Sequence, residues 1–197
     1  SDLYIVKMQG WKREMYYDET GLEFIPPSPN ILDLKTAFMY NGTCLFEGTN
    51  LSEGRGTDMP FLKIGSPWLD SDKLVQILNG KNFPGVFFHS INFSPRTNAS
   101  IDNNPKYLNE LYNGVQIEIL DRNIANPIEI AINMLEEIYK LHPNDFEFLS
   151  NDFINKLYGS DDLKNYILLG KDVKLLFEDW KEKNDKFEKQ KTKFLIY

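Results

Sequence analysis

The sequence predicts a single domain of the α+β class, with a small mixed sheet in its N-terminal part and helices concentrated in its C-terminal part. Residues 1–121 are rich in glycine, proline, aromatic residues and short extended runs, whereas residues 122–197 have helical periodicity. The chain has 197 residues, of which 42% are hydrophobic, so it is long enough to bury a substantial core.

Three short apolar runs predict strands. The first is Leu3–Met8, and the second is Gly85–His89. The third, Gly114–Leu120, is the clearest of the three, because its apolar side chains alternate with other residues and so share one face.

Start and stop signals predict the helices that follow. A short helix is predicted over Ser71–Asn79, with Ser71 as its N-cap and Gly80 at its end. Asn126 is the N-cap of a longer helix, since a proline and then a glutamate follow it in the first turn, and this helix runs from Ile130 to about Leu141.

The remaining residues predict three more helices. Ser150 and Ser160 are expected to cap two short helices, with Gly159 and Gly170 near their ends. A last helix is predicted from about Val173 to Lys191, and its mixed Glu and Lys face is interpreted as a solvated surface.

Composition excludes several classes of function. The net charge is −7, which argues against a nucleic-acid partner because phosphate binding needs concentrated lysine and arginine. Cys44 is the only cysteine, so no intramolecular disulfide forms, and with two histidines no metal site or cofactor is predicted. No apolar run reaches the roughly 20 residues of a membrane span. The chain begins at Ser1 without an initiator methionine, so we expect it to be cut from a longer chain.

Residues 47–57 are the most informative stretch. They hold three glycines, two carboxylates and one guanidinium, so they cannot build a core and their polar groups need partners. One interpretation is a binding site, and the other is a loop whose polar groups satisfy each other. The candidate residues are Glu47, Asn50, Ser52, Glu53 and Arg55.

Other candidates lie outside this loop. Trp11 and Arg13 follow the first predicted strand, and an indole can stack on a sugar while a guanidinium binds carboxylates; the alternative is a core tryptophan beside a surface arginine. His89 ends an apolar strand and either lines a cleft or has a structural role. Glu47 and Glu53, with an acidic pair at residues 18 and 19, could supply the two carboxylates of a glycosidase, although the sequence does not fix their separation.

Several motifs together resemble one known family. They follow each other in this order: Met8-x-Gly10-Trp11-x-Arg13, Asp18-Glu19-Thr20-Gly21, Pro26-Pro27-Ser28-Pro29-Asn30, the run from Gly42 to Thr57, Gly65-x-Pro67-Trp68, and Gly114-Val115-Gln116. In these motifs the sequence resembles the exo-β-N-acetylmuramidase family, long known as the bacterial domain of unknown function DUF1343. The block from Glu47 to Thr57 is the most specific, and the resemblance spans the whole chain.

The resemblance implies a two-domain protein with a cleft between a Rossmann-like N-terminal domain and an α+β C-terminal domain. Residues 1–197 would then be the C-terminal domain, and the N-terminal domain would be missing from this chain. Because the family's main catalytic carboxylate is assigned to that missing half, the catalytic residue here is unknown, with Glu53 as the candidate. His89 stands where the family pattern favours arginine, which puts a sugar contact there in doubt.

The resemblance also implies a substrate. Family members take part in peptidoglycan turnover in the periplasm or outside the cell, and they release N-acetylmuramic acid (MurNAc) from the non-reducing ends of MurNAc-GlcNAc fragments. The lactyl carboxylate of MurNAc suits an arginine, its hydroxyls suit polar side chains, and its ring suits an aromatic platform. The substrate-binding candidates are Trp11, Arg13, Glu47, Asn50, Ser52, Glu53, Arg55, Trp68 and His89.

Three functional hypotheses remain open at this point. The chain could be one wall of an exo-muramidase cleft, inactive without the other half of the protein. It could instead be a non-catalytic module that binds muropeptides or glycans. The third hypothesis is an interaction domain in which the loop of residues 47–57 is only a structural hub.

Overall fold

A computed structural model of the chain describes residues 2–97 and 105–196. It confirms the α+β class, because within these ranges six α-helices accompany a small three-stranded sheet. The chain divides into two compact units, one of which is Pro26–Val173. The other unit combines Ser1–Ile25 with Lys174–Tyr197.

The sheet lies in the larger unit and is antiparallel throughout, not mixed as the sequence predicts. Its strands are β1 (Lys63–Ser66), β2 (Val86–Phe93) and β3 (Tyr112–Ile119), in the order β1-β3-β2. Strands β2 and β3 confirm the second and third predicted strands. Strand β1 is not predicted, because Ile64 is its only large apolar residue.

One face of the sheet forms a core with the helices. Phe88 of β2, Ile117 and Val115 of β3 and Ile64 of β1 are buried on this face. Helix α2 (Ser71–Gly80) lies along β2, where Asn79 donates to the Phe88 carbonyl at 2.9 Å and accepts from the Phe88 N–H at 3.0 Å. These two bonds hold the helix in register with the strand.

The predicted strand at Leu3–Met8 is wrong. In the smaller unit this segment has no regular secondary structure, and Leu3 and Val6 are largely exposed. A strand needs a hydrogen-bonded neighbour. Among the described residues only β1, β2 and β3 pair in a sheet, so the apolar run lacks the partner that would make it a strand.

The capping predictions have mixed outcomes. Helix α3 (Pro127–Leu141) begins as predicted, since the Asn126 side chain accepts the Glu129 N–H. The cap of α2 is Asp70, not Ser71, because the Asp70 carboxylate accepts the Lys73 N–H at 3.1 Å.

The short helices after α3 also differ from the prediction at their starts. They are α4 (Phe153–Tyr158) and α5 (Asp162–Leu168), with Asp152 and Asp161 at the N-cap positions in place of Ser150 and Ser160. Gly159 ends α4 as predicted, in a left-handed conformation that glycine adopts readily. Helix α6 (Lys174–Lys191) confirms the last predicted helix and belongs to the smaller unit.

The 47–57 loop follows a helix, α1, that packs closely against α3. Helix α1 (Leu34–Thr43) runs into a 3₁₀ turn over Cys44–Gly48, which leads directly into the loop. A Cβ atom added to Gly42 would lie 1.9 Å from the Pro127 carbonyl oxygen at the start of α3. The absence of a side chain at Gly42 therefore lets α1 approach α3 closely.

Candidate functional site

The loop of residues 47–57 is anchored to the sheet. Ser52 and Gly65 exchange two backbone hydrogen bonds, of 2.9 and 3.1 Å, so that the loop adds a bridge to the edge of β1. Thr49 makes a second bridge, to Phe148. The two bridges fix the backbone of residues 50 and 51, which lie between them.

Four charged side chains meet at this loop. Arg55 donates from Nη2 to Glu47 Oε2 at 2.8 Å, and its Nε lies 3.1 Å from Glu53 Oε1. The Lys106 Nζ lies 3.0 Å from the other Glu53 oxygen. We call these four residues the Arg55 cluster.

Burial differs within the Arg55 cluster. The Glu53 side chain is only 7% exposed, whereas Glu47 is 18% and Arg55 31% exposed. Burial raises the pKa of Glu47, the charge and hydrogen bond of Arg55 lower it, and the charge of Glu53 raises it, so that the net shift is upward. Lys106 is 26% exposed, so the two cations are the more open members of the cluster and Glu53 is the most buried.

Lys106 is the member of the cluster that the sequence does not reveal. Besides Glu53, its ammonium group donates to the carbonyls of Phe46 at 3.1 Å and Leu51 at 2.7 Å. It lies 53 positions after Glu53, in a segment with no motif, and only the fold brings the two together. Its own carbonyl accepts the Tyr112 hydroxyl, which fixes its backbone to β3.

Asn50 and Ser52 use their side chains within the fold. Asn50 donates to the Asp145 carbonyl at 2.7 Å and accepts the Glu147 N–H at 3.0 Å. The Ser52 hydroxyl accepts the Gly54 N–H at 3.1 Å. These contacts support a positioning role for both residues, since they shape the loop that carries Arg55.

Trp11 and Arg13 lie together in the smaller unit. The Arg13 guanidinium carbon is 5.9 Å from the centroid of the Trp11 ring, a cation–π distance. Arg13 is exposed and Trp11 is partly exposed. The structure thus pairs these two candidates with each other.

Trp68 and His89 occupy two different places in the larger unit. The Trp68 ring packs on the His142 ring with centroids 5.4 Å apart. His89 lies on β2, and its Nε2 is 2.7 Å from a carboxylate oxygen of Glu118 on β3. Both members of the His89 pair are about half exposed, which is typical of a cross-strand surface pair.

The described residues offer no arrangement for a metal or a thiol nucleophile. Among them, no group of three or more His, Cys, Asp or Glu side chains could hold a metal ion. Burial raises the pKa of the Cys44 thiol to about 11, so this thiol is protonated near neutral pH. In the same part of the chain, no helix has the length and apolar character that crossing a membrane requires.

The fold and the site together define a class: an α+β domain that presents an ionic, glycine-rich loop beside a small antiparallel sheet. Residues 38–197 match the family described as exo-beta-N-acetylmuramidase NamZ, C-terminal, and residues 1–35 match its N-terminal counterpart. The chain belongs to this exo-β-N-acetylmuramidase family, which confirms the resemblance found in the sequence. The assignment of residues 1–197 to one domain stays a prediction.

Relatives agree with this membership in sequence and in structure. The chain is 38% identical over 197 residues to the peptidoglycan beta-N-acetylmuramidase NamZ of Bacillus subtilis, covering 100% of the chain and 46% of that relative. A DUF1343 family protein of Bacteroides fragilis has a similar structure, with a TM-score of 0.86 and 28% identity over 97% of the chain and 50% of that protein. A second protein of that family and organism has a TM-score of 0.63 and 30% identity, over 87% of the chain and 43% of that protein. The chain thus spans about half the length of these relatives or less.

Proposed function

We propose that this chain is the C-terminal half of a glycoside hydrolase that releases MurNAc from the non-reducing ends of MurNAc-GlcNAc fragments. In this proposal its 47–57 loop is one wall of a cleft that an N-terminal domain completes. The enzyme would act on peptidoglycan fragments in the periplasm or outside the cell. Family membership supports the reaction, and the Bacillus subtilis relative is named for it.

The exposure of Arg55 is the observation that carries the proposal. A guanidinium has five N–H groups, and Arg55 directs its Nε and Nη2 toward Glu53 and Glu47. These two contacts use only part of the guanidinium's donors, and about a third of the side chain remains exposed. The lactyl carboxylate is what distinguishes MurNAc from GlcNAc, and a fixed guanidinium is well suited to bind it.

The two glutamates take different roles in this proposal. Glu53 is the more buried, and its two oxygens face Arg55 and Lys106, which suits a residue that positions the guanidinium. Glu47 is more exposed, and burial raises its pKa, which suits a group that contacts the sugar or gives up a proton. The geometry therefore favours Glu47 over Glu53 for ligand contact.

Turnover of a chromogenic MurNAc glycoside tests the proposal. We expect hydrolysis by the longer family protein that contains this chain, and no hydrolysis by the 197 residues alone, although these should melt cooperatively. The chain alone serves as the control for a folded but incomplete site. Turnover by the chain at a rate near that of the longer protein would contradict the proposal.

A non-catalytic glycan-binding module is the second candidate. It is favoured by the internal pairing of the Arg55 cluster, where both carboxylates already have cationic partners. The same assay distinguishes the two candidates. A longer protein that binds MurNAc in calorimetry but never hydrolyses its glycoside would be a binding module.

A further inference from the structure

A pocket of about 400 Å³ lies where α2 begins above the sheet. We call it the Trp68 pocket. Its lining includes Trp68, Asp70, Ser71, Ser90, Asn92 and Asn113. Within the described part of the chain, no member of the Arg55 cluster lines it, so it is a separate place on the larger unit.

The sheet itself makes this pocket polar. The helix-covered face is apolar around Phe88 and Ile117, but two to four residues further along the same face it carries Ser90 and Asn92 on β2 and Asn113 on β3. Asn113 of β3 is the cross-strand partner of Ser66 on β1, so these two side chains also lie on this face. Hydroxyl and amide groups thus replace apolar side chains where α2 starts.

One further hydroxyl of this row, that of Ser66, does not itself line the pocket. Ser66 is fully buried, and its Oγ has no hydrogen-bond partner among the residues that the structure describes. A buried hydroxyl without a partner is costly unless water or a ligand supplies one. Ser66 lies next to Asn113, which lines the pocket.

Hydrogen bonds hold the polar walls in place. The hydroxyls of Ser71 and Ser90 are 2.9 Å apart, and the Asn92 amide donates to Asn113 Oδ1 at 2.9 Å. The Asn92 amide also donates to the Tyr112 carbonyl at 3.3 Å, and the Asn113 amide donates to the Pro67 carbonyl at 3.4 Å. The Asn92 carbonyl oxygen, one N–H of Asn113 and the two serine hydroxyls keep hydrogen-bonding capacity that these bonds do not use. The walls are therefore preorganised without being saturated.

The aromatic wall is fixed in a similar way. The His142 ring packs against Trp68 and accepts the Asp70 N–H at Nε2, at 3.1 Å. One histidine thereby fixes both the indole and the first residue before α2. An indole that is held beside hydroxyl and amide groups offers an apolar ring face together with hydrogen-bonding groups, which suits a sugar ring.

Charge decides which sugar suits this pocket. Among its described lining residues there is no lysine or arginine, whereas Asp70 and Asp72 are acidic. An anionic ligand would find no cation there and two repelling carboxylates. An uncharged ring with hydroxyl and amide groups faces neither problem.

We propose that the Trp68 pocket binds an uncharged N-acetylhexosamine ring of the N-acetylglucosamine type. It would be separate from the Arg55 cluster, to which the anionic MurNAc is assigned above. The inference deepens the proposed function, because MurNAc and N-acetylglucosamine are the two sugars of the fragments that the proposed function names. The choice of this sugar rests on the proposed function, whereas the requirement that the ligand be uncharged rests on the pocket alone.

Calorimetric or ligand-observed NMR titration of the chain with N-acetylglucosamine tests the inference. Trp68→Ala removes the aromatic wall, and Ser90→Leu fills the pocket while leaving the tryptophan in place. We expect either change to raise the Kd by about tenfold or more. Trp180→Ala, in α6, is the matched control, and we expect its Kd to stay within about twofold of the wild type. Melting curves of all variants verify that they are folded.

The outcomes separate this inference from the proposed function. An unchanged Kd in both folded pocket variants, or no binding of N-acetylglucosamine by the wild type, would overturn the Trp68 pocket. Loss of binding in the pocket variants would support it, even if the longer protein fails to hydrolyse MurNAc glycosides. In that last case only the proposed function would fail.

Discussion

At the scale of single residues, the Arg55 cluster combines two carboxylates with two cations in a largely buried setting. Its formal charges cancel, and each charge has at least one partner within 3.1 Å. Such a group adds little net stability as a whole, because desolvation offsets much of the attraction. Removing one member is different, because it leaves an uncompensated charge in a poorly solvated place.

Lys106 is the member whose loss should cost most. Lys106→Met would leave one oxygen of buried Glu53 and the Leu51 carbonyl without their donor, whereas the Phe46 carbonyl would keep its bonds from Thr49. We expect a fall in the free energy of unfolding of about 3 kcal/mol, measured by chemical denaturation. Lys186→Met is the control, since Lys186 and Glu182 form an exposed pair whose loss should cost at most about 1 kcal/mol. Equal effects of the two changes would contradict the account.

The raised pKa of Glu47 predicts a pH dependence with a definite sign. Because folding raises this pKa, the folded chain binds the proton more tightly than the unfolded chain. The stability from this group is complete below the unfolded pKa of about 4.3 and is lost as the pH rises through the folded pKa. Glu47→Gln cannot ionise, so its free energy of unfolding relative to the wild type should rise between about pH 4 and pH 7.

Glu137 on α3 provides the opposite case. Burial would raise its pKa, but hydrogen bonds from Lys81 and Lys140 outweigh burial and lower it. Its stabilising effect is present above the unfolded pKa and is lost as the pH falls through the folded pKa. Glu137→Gln should therefore lose stability relative to the wild type as the pH rises from below the folded pKa to about 5, and the difference should then stay constant up to pH 7. Parallel pH profiles for the two variants, from denaturation at several pH values, would show that the sign for Glu47 is wrong.

At the scale of elements, the sequence predicts those strands and helices whose own residues show a hydrophobic period or a cap. Strand β3 alternates apolar residues, and α3 has both a cap at Asn126 and an apolar face, so both were predictable. Leu3–Met8 is as apolar as a strand, but pairing depends on a neighbour that local sequence does not specify. Strand β1 has the converse pattern: it is weak in sequence and exists because β3 and the Ser52 bridge lie on either side of it.

For the candidate site too, local sequence does not specify which distant residues the fold brings together. The glycines and charges of the 47–57 loop mark the place correctly, since Glu47, Glu53 and Arg55 do converge. Lys106 could not be predicted, because a single lysine in an unpatterned segment has no sequence signal. The Trp68 pocket depends on strand register, which places residues from three separate segments on one face.

Helix packing gives a prediction at this scale. Gly42→Ala would force a Cβ to within 1.9 Å of the Pro127 carbonyl oxygen, so α1 must move away from α3. We expect a loss of about 2–3 kcal/mol in the free energy of unfolding. Gly80, at the end of α2, is the matched control, because a Cβ there would meet nothing within 4 Å. Gly80→Ala should leave the melting temperature unchanged or raise it slightly, and a larger loss there than at Gly42 would contradict the packing argument.

At the scale of the whole molecule, we assign two kinds of sugar to two kinds of surface. The chain as a whole is acidic, with a net charge of −7, so an anionic sugar needs a local cation to overcome the general repulsion. We propose Arg55 for this role, and the Trp68 pocket has no lysine or arginine among its described lining residues. Because the chain spans about half the length of its relatives, we expect the N-terminal domain to complete the site.

The most direct test of this account is the effect of Arg55→Lys in the longer protein of which we propose the chain to be the C-terminal half. A lysine keeps the charge but cannot make the forked contact to a carboxylate. We predict that kcat/KM for a chromogenic MurNAc glycoside falls by about tenfold or more, while the Kd for N-acetylglucosamine stays within about twofold. An unchanged kcat/KM in a variant that melts like the wild type, or an equal loss for both sugars, would contradict the assignment of Arg55 to the lactyl group.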